Sequence, residues 1–148
     1  MRMSRNRYRI IYSALLLAAF FLPAYNNVSA YRFTGLAIES AQTDAEVTFM
    51  DAMVILIPLL FIPISALLIL FRALQQKPIN GLLLSLPLFF LFFFFVILSF
   101  DVNRETSNAD ILGMLKDMRF GFYMAAMASV LLLFSYSKRE SLNVGSRG

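Results

Sequence analysis

The chain has 148 residues, 59% hydrophobic and only 15% charged, with a mean hydropathy of +0.72. A water-soluble domain usually carries about 25% charge, and one domain fills this length, so a separate soluble catalytic module is excluded. The net charge is +4, but no nucleic-acid-binding motif accompanies it, and basic residues that flank apolar stretches belong to membrane topology.

Four windows hold no charged residue: Ile10–Tyr31, Ala52–Phe71, Pro78–Phe100 and Phe120–Ser137, of 22, 20, 23 and 18 residues. A charge at mid-bilayer costs several kcal/mol, and a helix needs about 20 residues to cross roughly 30 Å of hydrocarbon. The pattern predicts an all-α membrane protein, a single-domain four-transmembrane-helix bundle. Its spans fall at about 10–25, 50–72, 80–100 and 120–137, with outer loops at 26–48 and 101–119.

The first span carries Ala14 and Ala18 on one helical face and ends at Leu22-Pro23, where proline stops or kinks a helix. Its basic start and Val28-Ser29-Ala30 also fit a signal peptide. Asn26-Asn27 lengthens the polar stretch before that site, which favours a retained anchor. The apolar stretch Tyr31–Ile38 is expected to fold against the bundle as a cap. Thr43 with Glu46 and Thr48 with Asp51 have capping spacing, so the second span is expected to start near Thr43.

The second span contains Pro58 and Pro63, which remove intrahelical hydrogen bonds and predict a bend. Ser65 is placed to supply one local bond. Asp51 borders this span and is the candidate ion-binding group if the protein transports.

The third span is the most apolar. Phe89, Phe90, Phe92, Phe93, Phe94 and Phe95 fill six of seven positions and cover every face of a helix. They are aromatic filler between lipid and bundle, or a docking surface for a membrane protein or for a lipid, quinone or carotenoid tail. In the second outer loop, Ile111, Leu112, Leu115 and Met118 share a face and Asn108 is a candidate N-cap. A short amphipathic interfacial helix is expected there.

The fourth span carries Gly121, Ala125 and Ser129 four residues apart. Such a row lets two backbones approach closely. It is expected to be a packing seam, with the Ala14/Ala18 face of the first span as its partner.

Charge sets the orientation. Arg2, Arg5, Arg7, Arg9, Arg72, Lys77, Lys138, Arg139 and Arg147 lie on one side, nine basic residues with Glu140 as the only acid. The other side holds four basic residues and eight acids. The positive-inside rule puts both termini in the cytoplasm.

Leu22-Pro23 at the end of the first span, Thr34-Gly35-Leu36 in the loop and Gly121-Phe122-Tyr123 opening the last span make the layout similar to that of small bacterial four-span membrane proteins. That resemblance implies a bacterial plasma-membrane location and no particular reaction.

The chain has no cysteine and no histidine. Thiol chemistry, disulfides, histidine proton transfer and histidine or cysteine metal ligation are therefore excluded. No glycine-rich phosphate loop is present. The reading left is non-catalytic: an accessory, assembly or scaffolding subunit that binds other integral membrane subunits and the lipid bilayer, with neither cofactor nor nucleic acid. The rival is a small oligomeric channel or carrier for an apolar or amphipathic solute.

Overall fold

The computed structural model describes residues 2–43, 49–105 and 116–136. The fold is mostly helical. Helix α1 spans Arg2–Phe21, extending the apolar stretch backwards through the basic start, because arginine is nearly as good a helix former as leucine. It stops before Leu22 because the following proline disfavours helical backbone there. Strands β1 (Pro23–Tyr25) and β2 (Val28–Ser29) then pair antiparallel. Asn26 and Asn27 between them have φ of 44° and 64°, the left-handed backbone that a two-residue type I′ turn requires and that asparagine tolerates.

Helix α2 spans Ala30–Thr43. The Ser29 hydroxyl caps it by accepting the Arg32 N–H at 3.2 Å. Helix α3 spans Phe49–Leu74 and runs unbroken through Pro58 and Pro63. Ser65 makes the expected local bond, donating to the Ile62 carbonyl at 2.8 Å. Beyond Leu74 the backbone curls into a Schellman cap. Gln76 adopts φ 54° and donates to the Ala73 carbonyl, while Lys77 donates to that of Arg72. Helices α4 (Gly81–Glu105) and α5 (Phe120–Phe134) follow.

Helices α1, α3, α4 and α5 form a closed cycle. α1 packs on α3 and α5, and α4 packs on α3 and α5. α2 lies across α3 and α1. The main core joins Leu16 and Ala19 of α1, Ile62, Ala66 and Ile69 of α3, Leu84 and Leu91 of α4, and Ala125, Ala128 and Leu132 of α5. A second cluster of Leu59, Phe94 and Met118 lies towards the hairpin, with Phe33 of α2 packed against it.

Among the described residues one helix, α3, is long and apolar enough to cross a membrane, over Met53–Leu74. Gly81–Ile97 and Phe120–Phe134 are apolar but shorter. The first charge-free window is not a single helix. α1 leaves it at Phe21, Pro23–Tyr25 is a strand, and α2 begins within its last residues. Thr43 ends α2 instead of opening the next helix, because the loop expected at 26–48 contains a helix of its own. Asp44–Thr48 lie outside the described residues, and so do Asn108, Ile111, Leu112 and Leu115 of the expected interfacial helix. Met118 is buried in the second cluster and bridges Tyr25.

Of the three glycines Gly35, Gly81 and Gly121, the last has the least room for a side chain. A Cβ there would sit 2.7 Å from the Pro23 carbonyl oxygen and 2.8 Å from that of Leu22, both rigid backbone. At Gly35, inside α2, a Cβ would meet nothing within 4 Å. Gly121→Ala should therefore lower stability by about 1–3 kcal/mol through overpacking. Gly35→Ala should raise it by roughly 0.5–1 kcal/mol through helix propensity. Thermal melts in mild detergent, followed by far-ultraviolet circular dichroism, read both signs.

Candidate functional site

The expected seam on the last helix is buried along its length. Gly121, Ala125, Ala128, Ser129 and Leu132 share one face of α5. The Ser129 hydroxyl donates to the Ala125 carbonyl at 2.7 Å, so the seam presents apolar atoms and no free donor. The partner face on α1 is not the expected one. Ala14 and Ala18 are exposed, and α1 turns Arg9, Ser13, Leu16 and Ala19 inward. Four-residue spacing marks a helix face but not its direction. Here the inward direction is set by Arg9 and by the large Leu16 side chain, which fills the core.

The inward arginine is the least expected feature. Arg9 is fully buried, and its guanidinium reaches the end of α5. Nε donates to the Ser135 hydroxyl at 3.3 Å and Nη2 donates to the Ser135 carbonyl at 3.1 Å. The same hydroxyl donates to the Leu132 carbonyl at 2.6 Å. A cation at a helix C-terminus meets the negative end of the peptide dipoles and satisfies carbonyls that have no helical partner. One basic residue among four reads in sequence as a topology charge, and nothing in the spacing singles it out. Tyr136 follows, and its ring lies over Gly81, where a Cβ would come within 2.9 Å of it. Arg9 of α1, the C-terminal end of α5 and the N-terminal end of α4 thus meet in one place.

At the opposite end the hairpin performs the corresponding task. Asn26 N–H donates to the Asp117 carbonyl at 3.1 Å, and Arg119 N–H donates to the Ala24 carbonyl at 2.8 Å. The segment before α5 therefore joins β1 through a single antiparallel bridge, with Tyr25 opposite Met118. Partial burial, and then the Asp117 carboxylate, raise the pKa of the Tyr25 hydroxyl above its ordinary value, against a smaller lowering by a bond to Asn26.

The phenylalanine run divides by face. Phe94 is buried and meets Phe33 edge-on at 6.2 Å. Phe90 stacks on Phe61 of α3 at 4.9 Å, and Phe95 tilts against Phe122 of α5 at 6.2 Å. Phe89, Phe92 and Phe93 point outward, with Phe89 and Phe93 parallel at 6.4 Å. The exposed docking or lipid surface is thus half of the expected set, extended by Phe61. Asp51 lies in the first turn of α3, and its side chain lies outside the described residues.

An apolar cavity of about 30 Å³ lies where α1, the hairpin, α2, α3, α4 and α5 converge, and Ala19, Ala24, Ala30 and Gly121 leave the space for it. That volume holds one small group, not a quinone ring or a carotenoid. Among the described residues no cluster of three or more carboxylates is placed to hold a metal ion.

No protein-family model, no curated protein and no solved structure matches this chain. Its function is therefore read from its own side chains.

Arg9→Gln should lower stability by about 2 kcal/mol or more, since hydrogen bonds from a charged donor contribute roughly 1.5–3 kcal/mol each. Arg7→Gln, on the exposed side of the same turn, should stay within about 0.5 kcal/mol. Unfolding titrations in detergent separate the two, and equal effects would mean the Arg9 contacts contribute nothing.

Proposed function

We propose that the chain crosses the membrane four times, through α1, α3, α4 and α5, with both termini in the cytoplasm of a bacterial cell. In this reading it is a non-catalytic accessory, assembly or scaffolding subunit of a larger membrane complex. The observation that carries the reading is the apolar centre of the helix cycle. Leu16, Ile62, Leu91 and Ala125 belong to one core and leave between them only the cavity of about 30 Å³. The buried hydroxyls nearby bond back onto their own helices: Ser13 donates to the Arg9 carbonyl at 2.7 Å, Ser65 to Ile62 and Ser129 to Ala125. A solute path through this centre would have no polar lining.

The outside is the reverse. Large apolar side chains such as Phe71, Phe89, Phe92, Phe120, Met127 and Phe134 are exposed on several helices. Water disfavours such surface, whereas lipid and neighbouring helices accept it. The nine-to-four distribution of basic residues supports the orientation. The Arg9–Ser135 contact fits the cytoplasmic end, and the hairpin with its following helix fits the outer end.

Purification in mild detergent tests the function. A stoichiometric membrane partner supports it. A lone homo-oligomer that supports solute-dependent flux in vesicles overturns it in favour of a channel or carrier. Asp51→Asn should assemble normally and leave the host complex working, whereas a fully assembled but inactive variant would favour transport. A reporter fused after Gly148 should read cytoplasmic, and an extracytoplasmic signal would contradict the four-span topology.

A further inference from the structure

All six tyrosines of the chain lie on α1, the hairpin, α2 or α5 or directly beside them, and α3 and α4 carry none. They form two groups. Tyr8 and Tyr12 stack on α1 at 6.1 Å, and with Tyr136 they line a cleft of about 270 Å³ at the Arg9 end of α1 and α5. Tyr25, Tyr31 and Tyr123 sit at the hairpin end, with Tyr31 against Phe20 and Phe21. Tyrosine concentrates at the two membrane–water interfaces, where its ring meets lipid and its hydroxyl meets water. Here the two groups mark two such levels on one side of the bundle only.

The spacing of those levels is short. Tyr123 and Tyr136 are thirteen residues apart, about 20 Å along a helix. From Arg9, held by Ser135, to the last residue of α1, Phe21, is about 18 Å. The other side of the bundle is taller. The charge-free part of α3, Ala52 to Phe71, and that of α4, Gly81 to Phe100, each rise about 29 Å. A bilayer's hydrocarbon is about 30 Å thick. The Arg9–Ser135 contact and the close approach of Gly121 to Leu22 and Pro23 hold these two helices in register, so tilting one against the other cannot lengthen the short side.

From these heights we infer that the α1–α5 face binds a locally thinned bilayer of about 20 Å hydrocarbon thickness, while the α3–α4 face takes the full thickness. The occupant of the α1–α5 face is lipid, drawn inward on both sides to the tyrosine levels. The cleft between Tyr8, Tyr12 and Tyr136 admits the glycerol region of such a lipid, with Leu131 and Phe134 beneath it for the chains. This inference rests on the four-span reading.

The chain lacks cysteine, so single spin labels are introduced directly. Val130→Cys marks mid-height on α5 and Ile64→Cys mid-height on α3, and both positions are exposed. In vesicles of phosphatidylcholine with eighteen-carbon chains, electron paramagnetic resonance depth measurements should place the Val130 label about 10 Å, and the Ile64 label about 15 Å, from the nearer edge of the hydrocarbon. With fourteen-carbon chains the Val130 depth should not change, and the Ile64 depth should fall towards it. Equal depths near 15 Å in the longer lipid overturn the inference. So does a Val130 label shielded from oxygen and coupled to a second spin, because another copy would then cover that face. An Ile64 label open to a water-soluble relaxation agent would instead overturn the membrane-spanning reading itself.

Discussion

The structure depends on the double attachment of α1 to α5. At one end Gly121 lets the start of α5 press against the Leu22 and Pro23 carbonyls. At the other, Arg9 holds the Ser135 hydroxyl and carbonyl. In a lipid environment the hydrophobic effect does not draw helices together, so close backbone approach and hydrogen bonds must do so. The seam supplies the first and the two ends supply the second. With α1 and α5 fixed to each other, α3 and α4 complete the cycle by filling the core with Ile62, Ile69, Leu84 and Leu91.

A buried arginine is a costly choice unless its donors are used. Arg9 uses them where a helix ends and free carbonyls collect, so one side chain resolves two deficits, its own charge and the unpartnered end of α5. The hydrogen bonds of the hairpin to the segment before α5 are made by backbone. The hairpin's turn needs two residues with positive φ, and its edge takes up the segment before α5 through backbone bonds beside the buried Met118 side chain. The two ends thus differ in chemistry: one can be altered by changing a single side chain, the other only by disturbing the turn, the glycine or the strand register.

Much of the helical layout was legible in the sequence. Charge-free windows and helices α3 and α4 cover nearly the same residues, since both reflect one requirement, apolar surface on all sides. The Gly121/Ala125/Ser129 face was legible because three small residues in a row at four-residue spacing, one of them glycine, let a neighbouring backbone come close. The rest was not. Arg9 resembles its neighbours in a basic run, and only the approach of Ser135, 126 positions later, distinguishes it. Ala14 and Ala18 share the spacing of a seam but point outward, because Leu16 and Ser13 take the inward face. The hairpin went unread since its turn is Asn-Asn, without the glycine that usually marks a type I′ turn. The residue that bridges to it, Met118, lies more than ninety residues downstream, beyond any local pattern.

The pairing that joins the hairpin to α5 can be tested in one covalent step. Tyr25 and Met118 face each other in an antiparallel bridge flanked by the bonds from Asn26 to Asp117 and from Arg119 to Ala24. That makes them a non-hydrogen-bonded pair, the closer of the two antiparallel kinds and within disulfide reach. In this cysteine-free chain, Tyr25→Cys with Met118→Cys should form an intramolecular disulfide when the purified, folded protein is oxidised. It should also form unaided in cells, because the hairpin would lie outside the plasma membrane, where disulfides persist. A folded double variant that stays reduced under oxidant would contradict the attachment of the hairpin to α5.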